Sequence, residues 1–300
     1  MSIAILFPGQ GAQHLGMGQA ALVASPAAKI LFGRASAILG YDLAEVCLHG
    51  PVERLNTTAV SQPAIFVASL AALESLRVTQ PDALENCTAT AGLSLGEYTA
   101  LVFADALSFD DAMHVVKARG EAMQAAAEAT AGGMVAVLGL DATEVEPLVG
   151  EARGDGVLEI ANLLCPGNTV VSGSQASIEA LCSLAESRQF RYAKLAVAGA
   201  FHTPLMKPAD EALATALGQV KLVAPRLPIW FNVDAKPHTD PDEIRNLLIR
   251  QVLSPVQWEG TLRGLENAGF TKYYEVGPGR VLAGLMKRIN RKADLTNIPA

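Results

Sequence analysis

Cys87-Thr88-Ala89-Thr90-Ala91-Gly92-Leu93-Ser94-Leu95-Gly96 is the stretch on which the fold turns. A short run rich in Thr and Ala enters a Gly-x-Ser-x-Gly pattern, and a helical pattern follows. This order predicts a strand, a sharp turn and a helix, with Ser94 projected at the helix N-terminus by two glycines that permit the tight turn. A nucleophilic Ser94 is the reading with chemical content. The plainer alternative is a glycine-rich turn with an idle serine, because the pattern is short.

Outward from this turn, Ile3 to Phe7 predicts a buried strand followed by a Gly-rich loop. Ser25-Pro26 then offers an N-cap and an N1 proline for a helix that stops near Gly40. Ser61 is expected to open another apolar helix. Ser108, with Asp111 three residues on, resembles a capping box and starts a helix that carries Lys117, Arg119 and Met123. At Gly132-Gly133 the texture changes. From Met134 to Ala198 the pattern predicts strand (134 to 140), helix (143 to 152), strand (157 to 163), strand (169 to 173), helix (176 to 187) and strand (192 to 197), the ferredoxin-like plan. A helix from Thr203-Pro204, a strand from Pro228 to Val233, a helix from Asp240-Pro241, and a last strand from Lys272 to Val276 before a C-terminal helix complete the chain. The expected fold is α/β, with a large domain of residues 1–130 and 199–300 around an insert of residues 131–198.

The chain of 300 residues is 50% hydrophobic, enough for one sizeable core and a smaller inserted one. Its net charge of -7 argues against general nucleic-acid binding, so an anionic ligand must find locally placed cations. Residues 1–7 are apolar but lack a basic flank and end at Pro8, so they do not read as a signal peptide. No stretch is expected to span a bilayer, and no membrane partner is implied. Cys47, Cys87, Cys165 and Cys182 lie far apart and read as reduced, mostly buried thiols in a cytoplasmic setting. The five histidines show no metal-ligand spacing, so no metal is expected.

Ser94 needs a base, and His202, in Gly199-Ala200-Phe201-His202-Thr203-Pro204 just before a helix start, has the best sequence context. His14 follows the first Gly-rich loop, His114 lies mid-helix, and His49 and His238 look like surface loop residues. The loop Pro8-Gly9-Gln10-Gly11-Ala12-Gln13 does not fit a dinucleotide fingerprint, because Gly16 comes too late. It is better used to aim backbone N–H groups at an oxyanion, with the Leu95 amide as the second donor.

These segments resemble the malonyl-CoA:acyl carrier protein transacylase family and the acyltransferase domains of polyketide and fatty acid synthases. The resemblance rests on Phe7-Pro8-Gly9-Gln10-Gly11, the elbow running into Glu97-Tyr98, Arg119-Gly120 with Met123, and Ala200-Phe201-His202. Gln251-Val252-Leu253-Ser254-Pro255-Val256 and Glu275-Val276-Gly277-Pro278-Gly279 extend it over nearly the whole chain. It implies an α/β-hydrolase-like large domain with an inserted ferredoxin-like small domain. It also implies Ser94 as the acylated nucleophile, His202 as its base, and Gln251 as the residue orienting His202 through its main-chain carbonyl. Gln10 and Leu95 become the oxyanion hole, and Arg119 the clamp on the malonyl carboxylate, which a planar guanidinium can meet at both oxygens. Met123, Phe201 and Asn162 join Arg119 as substrate-binding residues, with Phe201 limiting room at the α-carbon so that methylmalonyl is disfavoured.

The implied reaction is ping-pong transfer from malonyl-CoA to acyl carrier protein through a malonyl-serine, supplying fatty acid or polyketide synthesis without a cofactor. A monomer is the working expectation. Leu93 replaces the His that many members carry before the nucleophile, and the insert is poorer in Asn and Gln than the usual pattern. Lys287, Arg288, Arg291 and Lys292 crowd the C-terminal helix and could attract an acidic carrier protein, or form an ordinary solvated helix end. A serine thioesterase or esterase on the same elbow, or a non-catalytic scaffold that binds the carrier protein, are the rival readings. The first predicts an acidic third member and no carboxylate clamp, and the second predicts loss of Ser94 or His202.

Overall fold

The computed structural model describes residues 2–197 and 199–300. Met1, which opens the first apolar run, and Ala198, the last residue of the expected insert, lie outside the described residues.

Strands β1 (Ile3–Phe7), β2 (Cys87–Gly92), β7 (Ile229–Phe231), β8 (Lys236–His238), β9 (Lys272–Val276) and β10 (Asp294–Ile298) form one sheet in the order β10-β9-β1-β2-β7-β8. All neighbouring pairs are parallel except β7 with the edge strand β8. Helices cover both faces, as a parallel sheet requires. Strand period sorts β1 between them: Ile3, Ile5 and Phe7 join the core under the helices Pro26–Leu39, Thr58–Thr79 and Phe109–Ala129. Ala4 and Leu6 join the core under Trp258–Asn267 and Val281–Ile289.

A second, antiparallel sheet uses β3 (Gly132–Leu138), β4 (Leu158–Cys165), β5 (Asn168–Ser174) and β6 (Arg191–Lys194) in the order β4-β5-β3-β6. With helices Ala142–Ala152 and Gln175–Arg188 on one face, this is the ferredoxin-like arrangement. Val135, Val137 and Val171 pack on those helices, whereas Met134, Ala136 and Val170 point the other way into the main core. The α/β fold thus consists of an α/β-hydrolase-like body and a ferredoxin-like sheet laid against it.

Several boundaries differ from the sequence reading. The helix expected to open at Ser61 begins a turn earlier, at Thr58, and Pro63 lies inside it. Proline there forfeits one backbone hydrogen bond, a loss the almost complete burial of the segment offsets. At 22 residues this helix is long and apolar enough to cross a membrane, contrary to expectation, but 83% of its apolar window is buried inside the protein, and it serves as the central core helix. Sequence missed β8 and β10 because the first is a three-residue edge strand and the second is only half buried. The strand expected over 192–197 is regular only to Lys194, although the Leu195 amide still bonds the Met134 carbonyl at 2.9 Å. Ser25 and Ser108 do cap their helices, accepting from the amides of Ala28 and Asp111.

Candidate active site

β2 ends at Gly92 and the next helix, Gly96–Phe103, begins four residues later, so the chain reverses within the elbow. A Cβ at Gly92 would overlap the Gly96 carbonyl group, and one at Gly96 would overlap the Phe7 carbonyl. Glycine is therefore required at both positions. Between them Ser94 is held at φ 50°, a left-handed conformation that costs a residue with a side chain about 1–2 kcal/mol. Asn232 holds it there: its Oδ1 accepts from the Ser94 amide at 2.6 Å, and its Nδ2 donates to the Gly92 carbonyl at 2.8 Å.

His202 arrives from the loop before the turn Pro204–Met206, also left-handed at φ 61°. Its Nδ1 lies 2.9 Å from the main-chain carbonyl of Gln251, which can only accept, so Nδ1 carries the hydrogen. Nε2 is left as an acceptor 3.1 Å from Ser94 Oγ, the tautomer a general base needs. Burial lowers the pKa of this imidazole to about 4, and the Arg119 cation adds to the effect, so His202 is neutral at physiological pH.

Arg119, from the helix Phe109–Ala129, is 2% exposed. Nη2 donates to Ser94 Oγ at 3.0 Å and to Gln251 Oε1 at 2.8 Å, and Nη1 to Gln62 Oε1 at 2.7 Å. Its Nε is buried without a partner, and no carboxylate comes within ion-pair distance among the described residues. A cation desolvated in this way, with a donor to spare, favours an anionic ligand.

A cavity of about 140 Å³ opens over Ser94. The body contributes Gln10, Arg119, Met123, Phe201 and His202, and the second sheet contributes Asn162, so these sequence-nominated residues share one cleft. Leu93 lines it too, as part of its apolar wall. Leu95 directly follows Ser94, and neither its amide nor that of Gln10 is taken up by a turn or loop hydrogen bond among the described residues.

A family model described as the acyl transferase domain matches residues 5–296. Over 302 residues the chain is 43% identical to the mitochondrial malonyl-CoA-acyl carrier protein transacylase of Homo sapiens, covering 96% of this chain and 77% of that protein. The chain belongs to the malonyl-CoA:acyl carrier protein transacylase family. A member from Escherichia coli is 40% identical, with 95% of this chain and 92% of that protein covered. Among solved structures, the transacylase of Coxiella burnetii superposes with a TM-score of 0.94 at 36% identity, over 99% of this chain and 94% of that one. A type II polyketide malonyl-transacylase, solved in complex with its acyl-carrier protein, gives 0.93 at 36% identity over 99% of this chain and 96% of that one.

In this family member, sequence reasoning passed over Gln62, Asn232 and the role of Glu97. Asn232 carried a signal, as a polar residue ending the apolar run Ile229-Trp230-Phe231 and fully buried. Glu97 is fully buried as well. Its Oε1 accepts from the Asn232 amide at 2.6 Å and its Oε2 from Gln251 Nε2. Burial pushes its carboxyl up to about 8, against the pull of those two donors and of Arg119.

The remaining histidines stand apart from the cleft. His14 bonds the Leu15 carbonyl and His114 the Asp110 carbonyl. His49 closes a helix beside Glu45, and His238 sits in β8 between Asp234 and Glu243, so neither is a loop residue. In the C-terminal basic cluster, Arg288 is already engaged, donating to the carbonyls of Pro166 and Gly167 at 3.0 Å each. It clasps the β4–β5 hairpin of the second sheet to the body.

Proposed function

We infer that the chain is a malonyl-CoA:acyl carrier protein S-malonyltransferase. The observation that carries this reading is the buried Arg119 guanidinium 3.0 Å from Ser94 Oγ, a carboxylate receptor set beside a nucleophile. Malonyl brings a carboxylate two bonds from its thioester carbonyl, so one group can be clamped while the other is attacked.

In the first half-reaction Ser94 Oγ attacks the malonyl thioester carbonyl and passes its proton to His202 Nε2. The amides of Leu95 and Gln10 hold the oxyanion, each such donor contributing about 3 kcal/mol in the transition state. Collapse expels the CoA sulfur, which takes the proton from His202, and leaves malonyl on Ser94. In the second, the pantetheine thiol of acyl carrier protein gives its proton to His202 and attacks the ester, and Ser94 leaves with that proton. The Gln251 carbonyl orients His202 in place of a carboxylate. A thiol leaving group is a weak base, so little assistance from a third acidic member is needed. Met123, Phe201 and Asn162 shape the room around the acyl group.

The same reading divides the chain into residues 1–130 with 199–300 and an insert of residues 131–198. Support comes from the second sheet, whose strands all fall between Gly132 and Lys194. A cytoplasmic location is part of it, supported by four buried cysteines that are all free.

Intact-protein mass spectrometry after brief exposure to malonyl-CoA tests the proposal, with Ser94→Ala alongside and acyl carrier protein added afterwards. A malonyl adduct that requires Ser94 and then moves to the carrier protein is the expected outcome. An adduct lost to water would instead make the chain a hydrolase.

A further inference from the structure

We propose that Glu97 is the positioning residue that locks Ser94, His202 and Arg119 into one reactive arrangement, acting through Asn232 and Gln251. The proposal rests on the malonyl-transfer reading for the identity of the acyl group, but not for the geometry.

Glu97 sits in the first turn of the helix behind the elbow, so its backbone moves with the nucleophile. From its two carboxyl oxygens the hydrogen bonds divide. Through Oε1 it holds the Asn232 amide at 2.6 Å, and the Asn232 side chain holds the Ser94 amide and the Gly92 carbonyl. This branch maintains the left-handed turn at Ser94. Through Oε2 it holds Gln251 Nε2, which also donates to the Ser94 carbonyl at 2.9 Å. With Nε2 fixed by two acceptors, Oε1 of Gln251 must face Arg119 Nη2, and the same residue's main-chain carbonyl receives His202 Nδ1. Residues 94, 119, 202 and 232, scattered over the chain, thus converge on one carboxyl group.

The chemistry at this position needs two acceptors. Both groups facing Glu97 are N–H donors, and a carboxyl group presents oxygen lone pairs to both whether or not it carries its proton, whereas an amide would set its NH2 against one of them. A carboxyl group is costly to bury and is retained only where its partners are satisfied. The carboxyl also lies one side chain from Arg119, which has no carboxylate of its own and is held deep in the protein. Arg119, Asp234 and Tyr98 are the charged or titratable groups that bear on Glu97.

The test separates the rate of acylation from the number of competent molecules. For Glu97→Gln, the time course of adduct formation from malonyl-CoA is expected to reach one acyl group per chain with a rate constant lowered by up to about a hundredfold, the cost of misplacing reacting groups by about 1 Å. Release of p-nitrophenol from p-nitrophenyl acetate, which needs Ser94 and His202 but no carboxylate clamp, should slow in parallel. Glu97→Asp, which keeps both acceptors one methylene short, should recover part of the rate, and it carries the same test if Glu97→Gln does not fold. A lowered plateau with an unchanged rate constant per competent chain would overturn the proposal in favour of a purely structural role. Unchanged rate and plateau would also overturn it. If the wild-type chain forms no adduct with malonyl-CoA, the transfer reading fails instead, and p-nitrophenyl acetate alone decides the role of Glu97.

Discussion

Arg119 meets three acceptors through its terminal nitrogens and keeps Nε buried without a partner. Selectivity for an acidic acyl group follows from that imbalance. Removing one partner of a buried charge pair costs about 2–5 kcal/mol, so Arg119→Ala should lower kcat/KM for malonyl-CoA by about thirtyfold or more. Acetyl-CoA, which offers no carboxylate, should lose far less, and a side-by-side rate comparison reads the difference. Ser94 and His202 were nominated from short local patterns, an elbow and a histidine just before a helix start, whereas Arg119 entered only through the family resemblance, and the structure brings the three together. Glu97, Asn232 and Gln62 were not legible as site residues, since they act by satisfying hydrogen bonds between distant segments, and no spacing along the chain reveals such a meeting.

At the scale of the element, the elbow depends on the close approach of three backbone segments. Gly96 lies against the Phe7 carbonyl at the end of β1, where a methyl group has no space. Gly96→Ala should therefore destabilise the protein by about 3 kcal/mol, the upper end of overpacking costs, and a denaturant midpoint measures it. Elements with a strong apolar period and a cap were readable, as in Pro26–Leu39 between the Ser25 cap and the left-handed Gly40. Thr58–Thr79 starts three residues before the expected Ser61, and its N-cap residue Thr57 makes no side-chain capping bond that would mark the boundary. β10 escaped notice because Asp294-Leu295-Thr296-Asn297-Ile298 is polar at 294, 296 and 297, which breaks the alternation of a strand, and it lies only partly buried at the sheet edge.

For the whole molecule, the buried groups of the cleft set a dependence of stability on pH. His202 ionises at about 4 when folded against an ordinary value of 6.5, so the unfolded chain takes up its proton first, and stability falls as pH drops from 6.5 toward 4. Glu97 acts in the opposite sense. Its folded value of about 8 against an ordinary 4.5 means that the unfolded chain loses its proton first, and stability falls as pH rises from 4.5 to 8. The two slopes oppose each other between 4.5 and 6.5, and above 6.5 only that of Glu97 remains. Denaturant midpoints at pH 6.5 and 8 should fall for the wild-type chain, and the fall should shrink in Glu97→Gln. The ferredoxin-like sheet was readable as a unit, yet that its helix-free face would pack into the main core and line the cleft was not, because Met134 and Val170 read as ordinary strand residues until their partners are known.

The order of strands in the main sheet also governs how the molecule is assembled in time. β1, which precedes the other strands of this sheet along the chain, stands at the middle of the sheet between β2 and β9. One of its edges stays without a partner until residue 276 has been synthesised, so the nascent chain carries an apolar template for mispairing through most of translation. Gln10 follows directly from that strand. The amide proposed for the oxyanion hole is thus made long before β9, and the pairing of its supporting strand is completed only when β9 docks.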